Sequence, residues 1–306
     1  MTLEISKTDT PPLEQHLNTA AAAIQRLYSA KCSPLSIPKG LSTGFYVLDL
    51  FTQGLIPGQI TVIASRHSAA KTTLAMNIVE HVALNQGVPV GVFSLALCGA
   101  QWVQRLLSSR SQVSPQHINN GYMDKDDIAR LNAANNDLKV SKIFIEDPAE
   151  LGLQELRDCV TRLIQEHCVG LIVIDYLDLM GATWKTGENR EREIYEISSG
   201  IKSVAEEFKI PILVLADQQL NVSGLELSAP IARFADVVCF LELKDPHFRS
   251  PAEEVEVPTE ESPSEVGKRL PAPVTIVKNR NGLLGEAALV FLIEIGRFAS
   301  WQPGDT

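Results

Sequence analysis

The nine residues SRHSAAKTT, Ser65 to Thr73, decide how the rest of the chain is read. An apolar run, Gln59 to Ala64, leads into them, and apolar residues at helical spacing, Leu74, Ile78 and Val82, lead out. Strand, loop and helix in that order is the setting of a phosphate-binding loop. Backbone N–H groups and a helix N-terminus face phosphate oxygens, a Lys reaches the outer phosphates, and a Ser or Thr hydroxyl ligates Mg²⁺. Lys71 and Thr72 supply the last two groups, while the two glycines of G-x-x-x-x-G-K-[ST] are replaced by Ser65 and Ala70. The predicted cradle is Ser65, Arg66, His67, Ser68, Ala69, Ala70, Lys71, Thr72 and Thr73. Within it, nothing in the sequence positions His67 for proton transfer.

Outward from the loop the chain alternates short apolar runs with helical patterns. Strands are predicted at Val88–Leu95, Lys142–Ile145, Leu171–Ile174, Pro211–Leu215 and Val237–Leu241. Helices are predicted at Gln101–Ser109, Asp124–Leu138, Leu153–His167 and Arg190–Phe208. Runs that are apolar on both faces and separated by helices imply an α/β fold, a mostly parallel central sheet flanked by helices. Val274–Val277 and Ala288–Ile293 are expected to finish that sheet as antiparallel edge strands. Before the core, residues 1–12 are polar with Pro11 and Pro12 and read as a disordered tail. Residues 13–39 read as a linker helix, Leu13–Ala30, and a loop. Residues 40–306 form the core, interrupted at 245–273 by a Glu-, Pro- and Ser-rich segment expected to be a mobile acidic loop.

Composition narrows the class. The 306 residues carry a formal charge of −10, which argues against a broad basic grip on a nucleic-acid backbone. No run approaches the roughly 20 apolar residues of a bilayer span, and the polar start lacks a secretory core, so a cytoplasmic protein without a membrane partner is expected. The five cysteines show no C-x-x-C pair and read as reduced and mostly buried.

Four segments in order, GLSTGFYVLDLFTQGLIPGQITVIASRHSAAKTT, FSLALCGAQWVQRLLSS, LIVIDYLDLM and VKNRNGLLGE, resemble the C-terminal motor domain of DnaB-type replicative helicases over roughly Gly40 to Phe298. The resemblance implies a RecA-like P-loop NTPase core preceded by a linker helix, with ATP and Mg²⁺ as ligands. It also implies a ring in which each nucleotide lies between subunits. Self-association, or contact with a replicative helicase or another replication protein, is the implied partnership, and the family's N-terminal primase-binding domain has no counterpart here. By the same resemblance Lys71 and Thr72 meet phosphate and Mg²⁺, and Asp175 is the Walker-B carboxylate at the metal. Lys278 and Arg280 are the pair that reaches a neighbour's γ-phosphate. The role of these two is catalytic only in an oligomer.

The departures from that pattern set the functional expectation. Where the family places a water-activating Glu after the strand ending FSL, this chain has Ala96, and removal of a general base typically costs about 10²- to 10⁴-fold in rate. Ala70 costs about 1–2 kcal/mol if its position demands a glycine-only backbone. The strand-tip Gln of the family is Asp217, and the DNA-contacting loop is short, with Glu226 and Arg233, which argues against single-stranded DNA binding. The expectation is a pseudoenzyme-like binding or regulatory module with weak or absent hydrolysis. The alternatives are an active hexameric helicase in which Asp217 or Glu188 replaces the missing base, and a structural subunit that binds no nucleotide.

Overall fold

The computed structural model describes residues 39–65, 68–181, 188–217, 230–243 and 269–301, the side chains of residues 68, 69, 188 and 189 excepted. The predicted tail, the linker helix and residues 244–268 of the acidic segment lie outside the described residues.

A short helix, α1 (Tyr46–Thr52), precedes β1 (Ile60–Ser65), and α2 (Ser68–Glu80) follows it, running into a π-type turn at His81–Asn85. Then come β2 (Val90–Ser94), α3 (Gly99–Ser111), α4 (Pro115–Asn120), α5 (Lys125–Lys139) and β3 (Ile143–Glu146). The next unit is α6 (Leu153–His167), β4 (Leu171–Asp175), α7 (Glu188–Phe208) and β5 (Ile212–Asp217). The last is α8 (Pro230–Phe234), β6 (Val237–Leu241), β7 (Arg269–Pro271), β8 (Val274–Asn279), β9 (Gly285–Ala287), β10 (Leu289–Leu292) and β11 (Arg297–Ser300).

Eight strands form the main sheet in the order β3-β2-β4-β5-β1-β6-β8-β9, parallel from β3 to β6 and antiparallel thereafter. Every residue of β1, β2, β4 and β6 is buried, as the unbroken apolar runs require of strands covered on both faces. One face packs Ile63, Val92, Val173 and Leu215 against Leu74, Ile78 and Val82 of the α2 segment and Trp102 and Leu106 of α3. The other packs Val62, Ile172, Ile174 and Val214 against Leu156, Val160 and Leu163 of α6 and Ile201 and Val204 of α7. Each such side chain contributes about 1.5–3 kcal/mol on burial, so the sheet is anchored from both sides. Helix starts carry their own signals. Asp124 accepts from the Asp127 amide at 2.7 Å and Asp127 returns the bond, and Ser114 caps α4 ahead of Pro115.

Three expectations need correction. Leu289–Leu292, inside the predicted strand 288–293, does not extend the main sheet. The free edge of β8 is already taken by β9, so β10 pairs instead with β7 and β11 in a separate three-stranded antiparallel sheet. Residues 269–271, assigned to the acidic loop, are the strand β7, because Leu270 is buried and pairs opposite Phe291. Of the four cysteines described, only Cys239 is buried. Cys98 caps the start of α3 and Cys168 the end of α6, both positions at the surface.

Candidate functional site

Parallel strands present their C-terminal ends together, and here the ends of β1, β4 and β5 bring Ser65, Asp175 and Asp217 to one rim of the sheet. Ser65 stands in register with Asp217, and Asp175 with Ser94 at the end of β2. Crevices at such carboxyl ends are where open α/β sheets take ligands.

The first turn of α2 lies directly over this rim. Lys71 is 1% exposed, and its ammonium donates to the Ser65 carbonyl at 3.2 Å and forms an ion pair with Asp217. The Thr72 hydroxyl donates to Asp175 Oδ1 at 3.0 Å, while the buried Asp175 Oδ2 has no hydrogen-bond partner. Burial is the largest influence on Asp175 and raises it from 3.8 to about 6. The Thr72 bond and the charges of Lys71 and Arg105 pull the other way, and Asp217 adds to the rise. Asp178 is also raised, by burial first, although its Oδ2 accepts the Asp217 backbone N–H at 2.9 Å. That bond fixes the tip of β5.

An orphaned carboxylate oxygen beside a Thr hydroxyl is a fitting pair of hard donors for Mg²⁺. Among the described residues no group of three His, Cys, Asp or Glu could hold a metal. Mg²⁺ is ordinarily bound by one or two carboxylates together with water and substrate phosphate, so a two-residue protein contribution suits it. Thr72 and Asp175 are the residues that would hold it.

Ala70 does not meet the glycine-only condition. It lies within α2, is absent from the positive-φ residues, and is buried in the core cluster with Leu74. The cost of about 1–2 kcal/mol attached to that condition does not arise. Ala96 is exposed two residues beyond the end of β2, where a methyl group cannot accept a proton. Arg66 and His67 lie outside the described residues, as do the side chains of Ser68, Ala69 and Glu188 and the loop 218–229 that contains Glu226. Thr73 lies in α2, half-buried.

Lys278 and Arg280 are at the other end of the sheet. Lys278 pairs opposite Val238 at the start of β6, and Arg280 N donates to the Asp236 carbonyl at 2.9 Å. The length of β1 separates that end from the loop, about 16 Å at a strand's rise per residue. Lys278 Nζ donates to the Ala232 carbonyl at 2.7 Å, and its pKa is lowered by burial and then by Arg280. Arg280 Nη1 donates to Asp236 Oδ1 at 3.1 Å, and Nη2 to the Arg233 carbonyl at 3.2 Å. The buried Asp236 also accepts from Lys202 at 2.8 Å and from the Ile60 amide at 3.0 Å. Thus the structure brings Lys71, Thr72 and Asp175 together and leaves Lys278 and Arg280 apart from them.

Sequence reasoning missed Asp236 and Lys202 altogether. The one local signal was an Asp immediately before the strand Val237–Leu241.

This architecture, a mostly parallel central sheet flanked by helices with Lys71, Thr72 and Asp175 gathered at one rim, is a RecA-like core. Residues 40–300 match the family described as the DnaB-like helicase C terminal domain, and the chain belongs to that family. It is 30% identical over 273 residues to the replicative DNA helicase DnaB of Geobacillus stearothermophilus, covering 86% of this chain and 57% of that protein. It is 30% identical over 289 residues to the replicative DNA helicase DnaC of Bacillus subtilis, covering 91% and 60%. The chain therefore spans about three-fifths of the curated relatives it matches. The same fold is seen in the ATPase domain of G40P, with a TM-score of 0.78, 23% identity, and coverage of 96% of this chain and 100% of that one. It is seen again in a DnaB-like replicative helicase studied with primase, with a TM-score of 0.77, 24% identity, and coverage of 96% and 68%. Among the described residues no helix is long and apolar enough to cross a membrane.

Proposed function

We propose that this chain is a divergent DnaB-type motor domain, associated with DNA replication, that binds ATP with Mg²⁺ and hydrolyses it weakly or not at all. In this reading it acts as a binding or regulatory module through self-association or contact with a replicative helicase or another replication protein. Lys71 and the amides at the start of α2 hold phosphate, and Thr72 and Asp175 hold the metal. Lys278 and Arg280 serve the site of a neighbouring copy, since about 16 Å of strand separates them from their own.

The observation that carries the reading is Ala96. Attack of water on a terminal phosphate needs a residue that orients the water or takes its proton. The carboxylates at the ends of β4 and β5 are engaged on at least one oxygen: Asp175 with Thr72, Asp217 with Lys71, and Asp178 with the Asp217 amide. The ion pair of Asp217 weighs against its having replaced the missing base.

The test is ATP hydrolysis by the full chain, with and without single-stranded DNA and with Lys71→Ala as the control. The expected rate lies well below about 1 s⁻¹, at the low end of ordinary enzymes. Ala96→Glu is expected to raise it by about 10²-fold or more. A Lys71-dependent wild-type rate near 1 s⁻¹ would establish a working motor instead. Titration with a fluorescent ATP analogue separates the structural-subunit reading, which saturable Mg²⁺-dependent binding excludes.

A further inference from the structure

We propose that Asp217 makes the phosphate site selective for a nucleoside diphosphate over a triphosphate. The inference rests on the reading that the loop ending in Lys71 and Thr72 holds nucleotide phosphates, and it names which nucleotide that loop prefers.

In a phosphate loop the backbone amides hold the α- and β-phosphates and the Lys ammonium reaches the β- and γ-phosphates. In this chain the ammonium already has two acceptors, the Ser65 carbonyl from inside the loop and the Asp217 carboxylate from the neighbouring strand. Lys71 is 1% exposed, whereas the Asp217 side chain is 45% exposed, so the carboxylate approaches the ammonium from the open side of the rim. That is the side from which the outermost phosphate must come. Asp217 thus stands where a terminal phosphate oxygen would take its bond from Lys71.

The carboxylate cannot withdraw with its backbone. Its amide is held by Asp178 Oδ2 at 2.9 Å, and its strand is in register with β1 from Ile60 opposite Ile212 to Ser65 opposite Asp217. Only side-chain rotation frees the ammonium, and rotation leaves the negative charge a few ångströms from the arriving phosphate. A diphosphate places no phosphate at that outer position and so meets less of this conflict. An uncharged amide at position 217 would remove it.

The experiment is calorimetric titration of the full chain with Mg²⁺-ADP and with Mg²⁺-ATP carrying a methylene β–γ bridge, for wild type, Asp217→Asn and Asp217→Glu. At the rim of a protein two such charges repel enough to change affinity by about tenfold. Wild type should therefore favour the diphosphate by about that factor. Asp217→Asn should gain about tenfold for the triphosphate with little change for the diphosphate, and Asp217→Glu should keep the wild-type order. The inference is overturned if wild type prefers the triphosphate, or if Asp217→Asn strengthens both ligands equally. If neither nucleotide binds wild type or Asp217→Asn while their thermal transitions coincide, the nucleotide reading itself falls and takes the inference with it.

Discussion

The two ends of the parallel sheet each bury an aspartate, and they satisfy its carboxylate differently. At the amino end Asp236 is saturated: Lys202, Arg280 and the Ile60 amide all donate to its carboxylate. At the carboxyl end Asp175 has one donor, Thr72, and one oxygen with none, and its pKa rises to about 6. The same fold thus contains a closed electrostatic joint and an open one. A buried carboxylate is tolerated when its lone pairs are used. The open end carries a cost that a bound cation would offset.

The sharpest way to break this comparison is to remove the anion from the closed joint. Asp236→Ala takes from Lys202, only 15% exposed at its side chain, its buried partner, leaving it the Gly58 carbonyl and the more exposed Glu206, and deprives the Ile60 amide of its carboxylate partner. Breaking a buried pair on one side typically costs about 3–5 kcal/mol. Urea unfolding should show a loss of that size, and a change under about 1 kcal/mol would mean that the joint is not a joint.

The opposite sign is expected at the open end. The folded pKa of Asp175 is raised from 3.8 to about 6, so the folded state binds the proton more tightly than the unfolded chain does. No penalty exists below about pH 3.8. It grows as pH rises through 3.8 to 6 and is complete above 6. At pH 7 to 8 without Mg²⁺, Asp175→Asn should stabilise the chain by about 2–3 kcal/mol, and the gain should vanish as pH falls toward 4. The check is chemical denaturation at several pH values. A gain that does not depend on pH would assign the effect to packing rather than to the buried charge.

How much of this was legible in the sequence follows from what each feature is made of. The strands Leu171–Asp175 and Val237–Leu241 announce themselves because a run buried on both faces must be apolar throughout. Helix α6 was legible at both ends, since its buried Leu156, Val160 and Leu163 recur at helical spacing. That Lys71, Thr72 and Asp175 share one rim was legible, the first two from the residue types of the loop and Asp175 from the family resemblance. The small sheet was not, because β7 is three residues long with a proline and only its pairing opposite Leu292, Phe291 and Val290 makes it a strand. Nor was the joint at Asp236. Its members stand at positions 60, 202, 236 and 280, and no local pattern relates them. Ala70 shows the converse: the sequence suggested strain, and a helical backbone removed it.

The smallest effect sharpens the contrast within the closed joint itself. Arg280 also donates to Asp236, yet its side chain is 51% exposed, against 15% for Lys202. Partly solvated ion pairs are worth about 0–1 kcal/mol, and after Arg280→Ala the carboxylate keeps Lys202 and the Ile60 amide. Fold stability should therefore fall by less than about 1 kcal/mol, well below the loss for Asp236→Ala. If Arg280 faces a neighbour's phosphates, the same variant should weaken nucleotide-dependent self-association, measured by sedimentation with Mg²⁺-ADP, while leaving the unfolding midpoint nearly unmoved. A large stability loss with unchanged association would place Arg280 among the structural members of the joint, and the sheet would then have one functional end rather than two.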